Sequence, residues 1–169
     1  MWEDEIIQAL ARAAIFHRLT PEEINIFSQS AQRVTCEKTA TVIEKGQVGA
    51  ALYIILQGQF EVDLPLGVYV PQLVGGAVER RMTKIQLQAL RAGDCFGEYS
   101  LLAPQPHSAS VVATEAGELL RIPQPAFEAI LHAHDRIAKT VYANMLRTLI
   151  GRLRELNVEW SLYLQNTVV

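Results

Sequence analysis

Residues 96–112 read "FGEYSLLAPQPHSASVV": Gly97 and Glu98 are followed, nine residues after the carboxylate, by His107 and then by Ser108, Ala109 and Ser110. Gly97 lets backbone approach a ligand closely, and "EYSLL" predicts a short helical turn whose free N–H groups point at an anion. An ionised Glu98 only accepts hydrogen bonds, so it suits a donor such as a sugar hydroxyl and repels a phosphate. The Ser-Ala-Ser run is read as delivering one hydroxyl, with backbone N–H groups, to the same pocket. Singly, each residue has an ordinary reading: Glu98 capping a turn, His107 on a surface loop, solvated serines. Together they would serve a phosphate and a ribose.

Outward from this stretch, Arg33 to Ile122 consists of short β-rich segments punctuated by glycine, including "TATVIEKGQ", "ALYIILQGQFEVDL", "VERRMTKIQLQAL" and "SASVVATEAGELLRI". The pattern predicts an antiparallel roll or barrel, with Gly58 in "LQGQF" as a hairpin turn. Leu64 to Leu90 is longer and more hydrophobic than a minimal hairpin needs, and is expected to extend from the roll as an arm or partner surface.

Helices flank the roll. Ile6, Ile7, Leu10, Ala14 and Ile15 fall near helical spacing and predict an amphipathic helix ending before His17. In "LTPEEINIFSQSA", Thr20 can cap, Pro21 suits the first turn and Glu23 closes a capping box, so a second short helix carries Ile24 and Phe27 inward. Pro125 suits a helix start in "PQPAFEAILHAH", and from Asp135 helical patterning runs to about Gln165, interrupted only by Gly151. Within it Tyr142, Leu146, Leu149, Leu153, Leu156, Trp160 and Tyr163 alternate spacings of four and three, a heptad seam that calls for a second copy or for packing back on the roll. The expected architecture is α+β and mainly β: one domain over 1–169, with N-terminal helices at 1–30, the roll at 31–123 and C-terminal helices at 124–169.

Composition narrows the function classes. With 169 residues, half of them apolar, the chain fills one core. A formal charge of -3 disfavours nucleic acid as the main partner. Arg136, Lys139, Arg147, Arg152 and Arg154 on the long helix are diluted by Asp135, Glu155 and Glu159, so no DNA binding is expected. The acidic start "MWEDEIIQAL" is unlike a signal peptide and no membrane-length apolar run occurs, so a cytoplasmic protein without membrane contact is expected. Cys36 and Cys95 have no metal or redox spacing and are read as ordinary core or strand residues; no metal or cofactor is expected.

At "RAGDCFGEYSLL" and "PHSASVVA" the sequence resembles the cyclic nucleotide-binding domains, the family of the catabolite activator protein and of the regulatory subunits of cyclic AMP-dependent kinase. The first stretch is similar to the signature G-D-x-F-G-E-[LI]-[AS]-L-L, the second to the phosphate-binding P-R-[AS]-A-[ST]-V, and "GQVGAALYIILQGQFEV" to the family's glycine-punctuated strands. The resemblance spans nearly the whole chain. It implies an antiparallel β-roll (double-stranded β-helix, jelly-roll-like) flanked by N-terminal helices and a long C-terminal helix that dimerises and covers the base. It also implies a ligand site at Phe96, Gly97, Glu98, Ser100, His107, Ser108 and Ala109. Glu98 would hold the ribose 2'-hydroxyl with Gly97 and Ser100 near it, and Ser108 and Ala109 would flank the cyclic phosphate. The nine-residue step is kept, so His107 stands where the family has its phosphate-binding arginine. The transcription-factor members continue into a helix-turn-helix domain, whereas this sequence stops at Val169, so an output domain is expected to be absent.

Three function classes follow. The first is a stand-alone regulatory domain that senses cyclic AMP or cyclic GMP weakly and signals to an unknown output protein through a homodimer seam of Leu146, Leu149, Leu153, Leu156 and Trp160. The alternative is a degenerate domain that binds no nucleotide and acts as a dimeric protein-interaction module. The third, an enzyme using His107 and Glu98 as an acid–base pair or Cys95 as nucleophile, lacks any legible catalytic constellation and is not expected.

Overall fold

The computed structural model describes residues 2–74, 77–102 and 105–167, with side chains described except at 2–3, 67–83, 159–160 and 162–167. The chain opens with α1 (Trp2–Arg12), a 3-10 turn (Ala14–Phe16) and α2 (Pro21–Ser28). The first helix stops earlier than its periodicity predicts. Ala13 turns to extended backbone (φ -69°, ψ 129°), and the restarted turn buries Ile15 and Phe16. At α2 the predicted capping box is formed: Glu23 N–H donates to Thr20 Oγ1 at 3.4 Å and Thr20 N–H to Glu23 Oε2 at 2.8 Å.

Eight strands follow: β1 (Gln32–Cys36), β2 (Thr41–Ile43), β3 (Ala51–Gln57), β4 (Gln59–Val74), β5 (Ala77–Arg91), β6 (Cys95–Phe96), β7 (Ser110–Ala113) and β8 (Gly117–Pro123). They form two four-stranded antiparallel sheets, ordered β1-β8-β3-β6 and β2-β7-β4-β5. A single turn, α3 (Glu98–Leu102), interrupts them, and α4 (Gln124–Ala133) and α5 (Asp135–Thr167) close the chain.

The first sheet is covered on both faces, which explains why β3 and β8 are apolar almost without alternation. Ile55 and Leu119 point between the sheets with Phe60, Phe96 and Val111. Leu52, Ile54, Leu120 and Ile122 point the other way, into a layer built from α1, α2, α4 and the start of α5. In that layer the rings of Phe16 and Phe27 lie 4.6 Å apart and those of Phe27 and Phe127 5.7 Å apart, locking three helical segments together.

Gly58 is not the hairpin turn its sequence context predicts. The strands on its two sides belong to different sheets, and Gly58 (φ +92°) is the corner where the chain crosses between them. A Cβ there would stand 2.7 Å from the Cα of Gly117, so the need is for close backbone approach as well as positive φ. The long hairpin is β4–β5 instead. Strand β4 pairs with β7 only from Phe60 to Asp63 yet with β5 out to Val74, so the predicted arm is a two-stranded ribbon leaving the sheet.

The long helix divides in two. Its first half is docked: Ile137, Val141, Asn144 and Met145 are buried, and Asn144 Nδ2 donates to the carbonyls of Ile15 at 3.1 Å and His17 at 2.6 Å. The second half carries the predicted seam. Leu146, Leu153 and Leu156 are 59%, 59% and 50% exposed, and Leu149 is half-buried. The side chain of Trp160 lies outside the described residues. Among the described residues no helix is long and apolar enough to cross a membrane.

Candidate functional site

A cavity of about 680 Å³ opens between β5, the α3 turn, the loop 105–109 and α5, and every predicted ligand residue lines it: Phe96, Gly97, Glu98, Ser100, His107, Ser108 and Ala109. Its floor is set by β6. Phe96 is buried, stacked on Tyr53 with ring centroids 5.0 Å apart and tilted against Phe60 at 6.2 Å, so it shapes the cavity as part of the core. The next residue must pass directly over the start of β3. Gly97 does so at φ +85°, where a Cβ would lie 2.3 Å from the Ala51 carbonyl oxygen. That passage delivers Glu98 as the first residue of α3 with its carboxylate buried.

The opposite wall is a loop pinned by backbone. His107 N–H donates to Gln47 O at 3.0 Å, and Gly46 N–H donates to His107 O at 2.8 Å, tying the loop to the connection between β2 and β3. The imidazole is also held: Nδ1 lies 3.2 Å from Ser100 Oγ, and that hydroxyl is itself 3.2 Å from Gly97 O. Burial pushes the His107 pKa below its ordinary 6.5, partly offset by a ring N–H donating to the Gly49 backbone. His107 is therefore mostly neutral at pH 7.

Ser108 and Ser110 part company. Strand β7 begins only at Ser110, whose buried Oγ accepts from Lys45 N–H at 3.0 Å, while Ser108 stays in the bend before it and lines the cavity. Of the pair only Ser108 lines the cavity, and it does so from the bend before the strand and not from a strand position.

Sequence reasoning missed Arg152. It reaches from α5 and donates Nη1–H to Glu98 Oε1 at 2.7 Å and to the Tyr99 hydroxyl at 2.5 Å, with its guanidinium carbon 5.3 Å from the Tyr99 ring centroid. Burial would lower the pKa of Arg152, but the Glu98 carboxylate and Tyr99 outweigh it and hold the group charged. Leu156 from the same helix and Ile85 and Leu87 from β5 complete an apolar mouth, with Glu155 beside them. Cys95, beside this cluster, has its thiol pushed up to about 12 by burial first and by the Glu98 charge second, so it is protonated at neutral pH and a poor nucleophile.

A buried carboxylate thus stands on one side of the cavity and a loop of serine hydroxyl and backbone groups on the other. The family model "Cyclic nucleotide-binding domain" matches residues 33–134. The chain belongs to the cyclic nucleotide-binding domain family. It is 31% identical over 151 residues to the cyclic AMP receptor protein of Thermus thermophilus, an alignment that covers 88% of this chain and 61% of that protein. The solved catabolite activator protein of Thermus thermophilus superposes with a TM-score of 0.71 at 30% identity, covering 89% of this chain and 62% of that one. The regulatory domain of Toxoplasma gondii protein kinase A, solved with cyclic AMP, superposes with a TM-score of 0.59 at 25% identity, covering 76% of this chain and 44% of that one. The chain thus spans about three-fifths of the length of the Thermus receptor protein that it matches. The fold of these relatives is the antiparallel β-roll expected from the sequence, and the chain is similar to their cyclic nucleotide-binding regulatory domains.

Proposed function

We propose that this domain binds cyclic AMP or cyclic GMP weakly at the cavity between β5, α3 and α5, and signals through a homodimer formed along α5. The observation that carries the reading is the meeting of Glu98 with Ser108 and Ala109, ten or more residues apart in sequence, across one cavity built on Gly97. Glu98 would accept from the ribose 2'-hydroxyl. Ser108 and the backbone of the 107–109 loop would hold the cyclic phosphate. The names of the Thermus receptor and the solved Toxoplasma complex support cyclic AMP as the first ligand to try.

Weakness follows from charge. The described lining residues carry the carboxylates of Glu98 and Glu155 against one guanidinium, Arg152, which already faces Glu98. His107 adds no positive charge at neutral pH and offers no bidentate fork to a phosphate. The loss of a charge-assisted bond of roughly 1.5–3 kcal/mol leaves micromolar-class or weaker affinity.

The dimer rests on the exposed seam of Leu146, Leu153 and Leu156, with Tyr142 45% and Ile150 50% exposed beside it. A contiguous apolar stripe of this kind is buried at low cost by a second copy of the same helix. The signal would pass to another protein, and the formal charge of -3 gives no attraction to DNA.

Calorimetric titration of the wild type and Glu98→Ala with cyclic AMP tests this reading. Saturable heat from the wild type, weakened about tenfold or more by the substitution, supports it. Equal binding by both proteins would remove Glu98 from the site. The engagement of both His107 ring nitrogens favours a second reading, in which the domain binds no nucleotide and serves as a dimeric interaction module. That reading takes over where neither cyclic nucleotide binds at millimolar concentration and light scattering still shows a dimer.

A further inference from the structure

The cavity offers a ligand acceptors and no free cation among its described residues. Those lining it carry two carboxylates, Glu98 and Glu155, against one guanidinium, Arg152, a balance of -1. That guanidinium is engaged within the protein, with Glu98 Oε1 at 2.7 Å and the Tyr99 hydroxyl at 2.5 Å. His107 lines the loop wall, where burial holds its ring mostly neutral at pH 7, and its backbone N–H already donates to Gln47 O at 3.0 Å. Lys45, whose backbone N–H holds Ser110 of β7, gives its ammonium to the Pro65 carbonyl at 3.2 Å and is not among the described lining residues. A phosphate monoanion entering here would shed its water without meeting an unengaged positive charge.

What stays open is suited to donors. Glu98 Oε2 takes no hydrogen bond from a described residue, and its side chain is only 6% exposed, so a hydroxyl that reaches it meets a charged acceptor largely stripped of water. Glu155 is a second acceptor at the mouth, and the Ser108 hydroxyl can accept or donate. A ribonucleoside presents free 2'-, 3'- and 5'-hydroxyls, all of them donors. Closing the phosphate ring turns the 3'- and 5'-oxygens into ester acceptors and adds a negative charge, so a cyclic nucleotide keeps only its 2'-hydroxyl as a sugar donor. Ile85, Leu87 and Leu156 give the base of either ligand the same apolar mouth, and a cavity of about 680 Å³ holds both.

We propose that this cavity prefers uncharged ribonucleosides to cyclic nucleotides, with the Glu98 carboxylate gripping the 2',3'-diol. This rests on the reading above that a ribose enters at Glu98, and it names the ligand class that the same site takes best. The preference is one of charge and of donors against acceptors, not of size. It is modest, because Glu98 is partly neutralised by Arg152 and the remaining carboxylate, Glu155, is exposed and screened by solvent.

Calorimetry on the whole protein at pH 7.5 compares adenosine with cyclic AMP and guanosine with cyclic GMP. In at least one pair the nucleoside should bind about three- to tenfold more tightly, and His107→Arg should reverse the order in that pair, since a guanidinium serves only the phosphate. The matching 2'-deoxynucleoside should bind wild type about tenfold or more weakly than the ribonucleoside, and the gap should shrink below about threefold in Glu98→Gln, which keeps the shape and drops the charge. Where Glu98→Gln fails to fold by circular dichroism, the 2'-deoxy comparison on wild type decides alone. Cyclic nucleotides that bind as tightly as their nucleosides or more tightly, in both pairs, overturn the preference and leave the nucleotide reading standing. Equal binding of the nucleoside and its 2'-deoxy analogue overturns it too, because the grip is then not on the diol. Nucleosides that bind while both cyclic nucleotides stay silent at about millimolar concentration uphold the preference and overturn the cyclic nucleotide reading. Silence from all of these ligands overturns both.

Discussion

The Nδ1 of His107 lies 3.2 Å from the hydroxyl of Ser100, two helical residues beyond Glu98, so the imidazole on the 105–109 loop is tied across the cavity to the turn that carries Glu98. Burial lowers the His107 pKa below 6.5, and the folded domain therefore prefers the neutral ring. The unfolded chain binds the proton more readily in that window. The contribution to stability is complete above pH 6.5 and is lost as pH falls below it. A melting temperature that drops between pH 7.5 and 5.5 in wild type, and drops less in His107→Gln, is the expected result; parallel losses in the two proteins would show that other groups dominate.

A bound cyclic phosphate acts in the opposite direction on the same ring. An anion favours the imidazolium, so affinity should rise as pH falls from about 7.5 to 5.5 and binding should take up protons. Calorimetry in buffers of different ionisation enthalpy reads the proton uptake directly. Binding that is independent of pH would place the phosphate away from His107.

Gly97→Ala should be among the most damaging small changes. The new Cβ would stand 2.3 Å from a backbone oxygen of β3 at a φ of +85°, and neither can move without opening the β3–β6 pairing. A loss of about 2 kcal/mol or more is expected in chemical denaturation. A loss below about 0.5 kcal/mol would mean the passage over Ala51 is not tight.

Asn144→Ala removes the side chain that ties α5 to the carbonyls of Ile15 and His17. The buried Ile15 carbonyl and the partly buried His17 carbonyl lose their donor, at a cost of about 1–3 kcal/mol, and exchange protection of the first half of α5 should fall with it. Unchanged stability would show that the apolar contacts of Ile137, Val141 and Met145 suffice alone.

Leu153→Glu tests the dimer. Because Leu153 is 59% exposed, the charge should leave the fold intact while placing like charges across a self-complementary seam. Light scattering at tens of micromolar should show dimer for wild type and monomer for the variant; a wild-type monomer would remove the dimer.

The roll and the second helix were legible because apolar runs, glycines and the Thr20–Glu23 box are local signals. Gly97, Glu98 and His107 were legible as neighbours because they lie within one short stretch, and all three line the cavity. Gly58 was misread because a corner between sheets and a hairpin turn make the same local demand for positive φ, and only the partner of each strand separates them. Arg152 was invisible because its partner is 54 residues away and its neighbours in sequence read as an ordinary charged helix face. The start of β7 at Ser110 likewise depends on a pairing with β4 that no property of "PHSASVV" announces.

The most direct test of nucleotide binding is calorimetric titration of wild type and His107→Arg with cyclic AMP and cyclic GMP at pH 7.5. Expected are saturable heat from wild type with at least one nucleotide, at micromolar-class or weaker affinity, and tightening by about one to two orders of magnitude when the guanidinium is supplied. Silence from both proteins with both nucleotides at about millimolar concentration, where roughly 4 kcal/mol of binding free energy would still register, would contradict it.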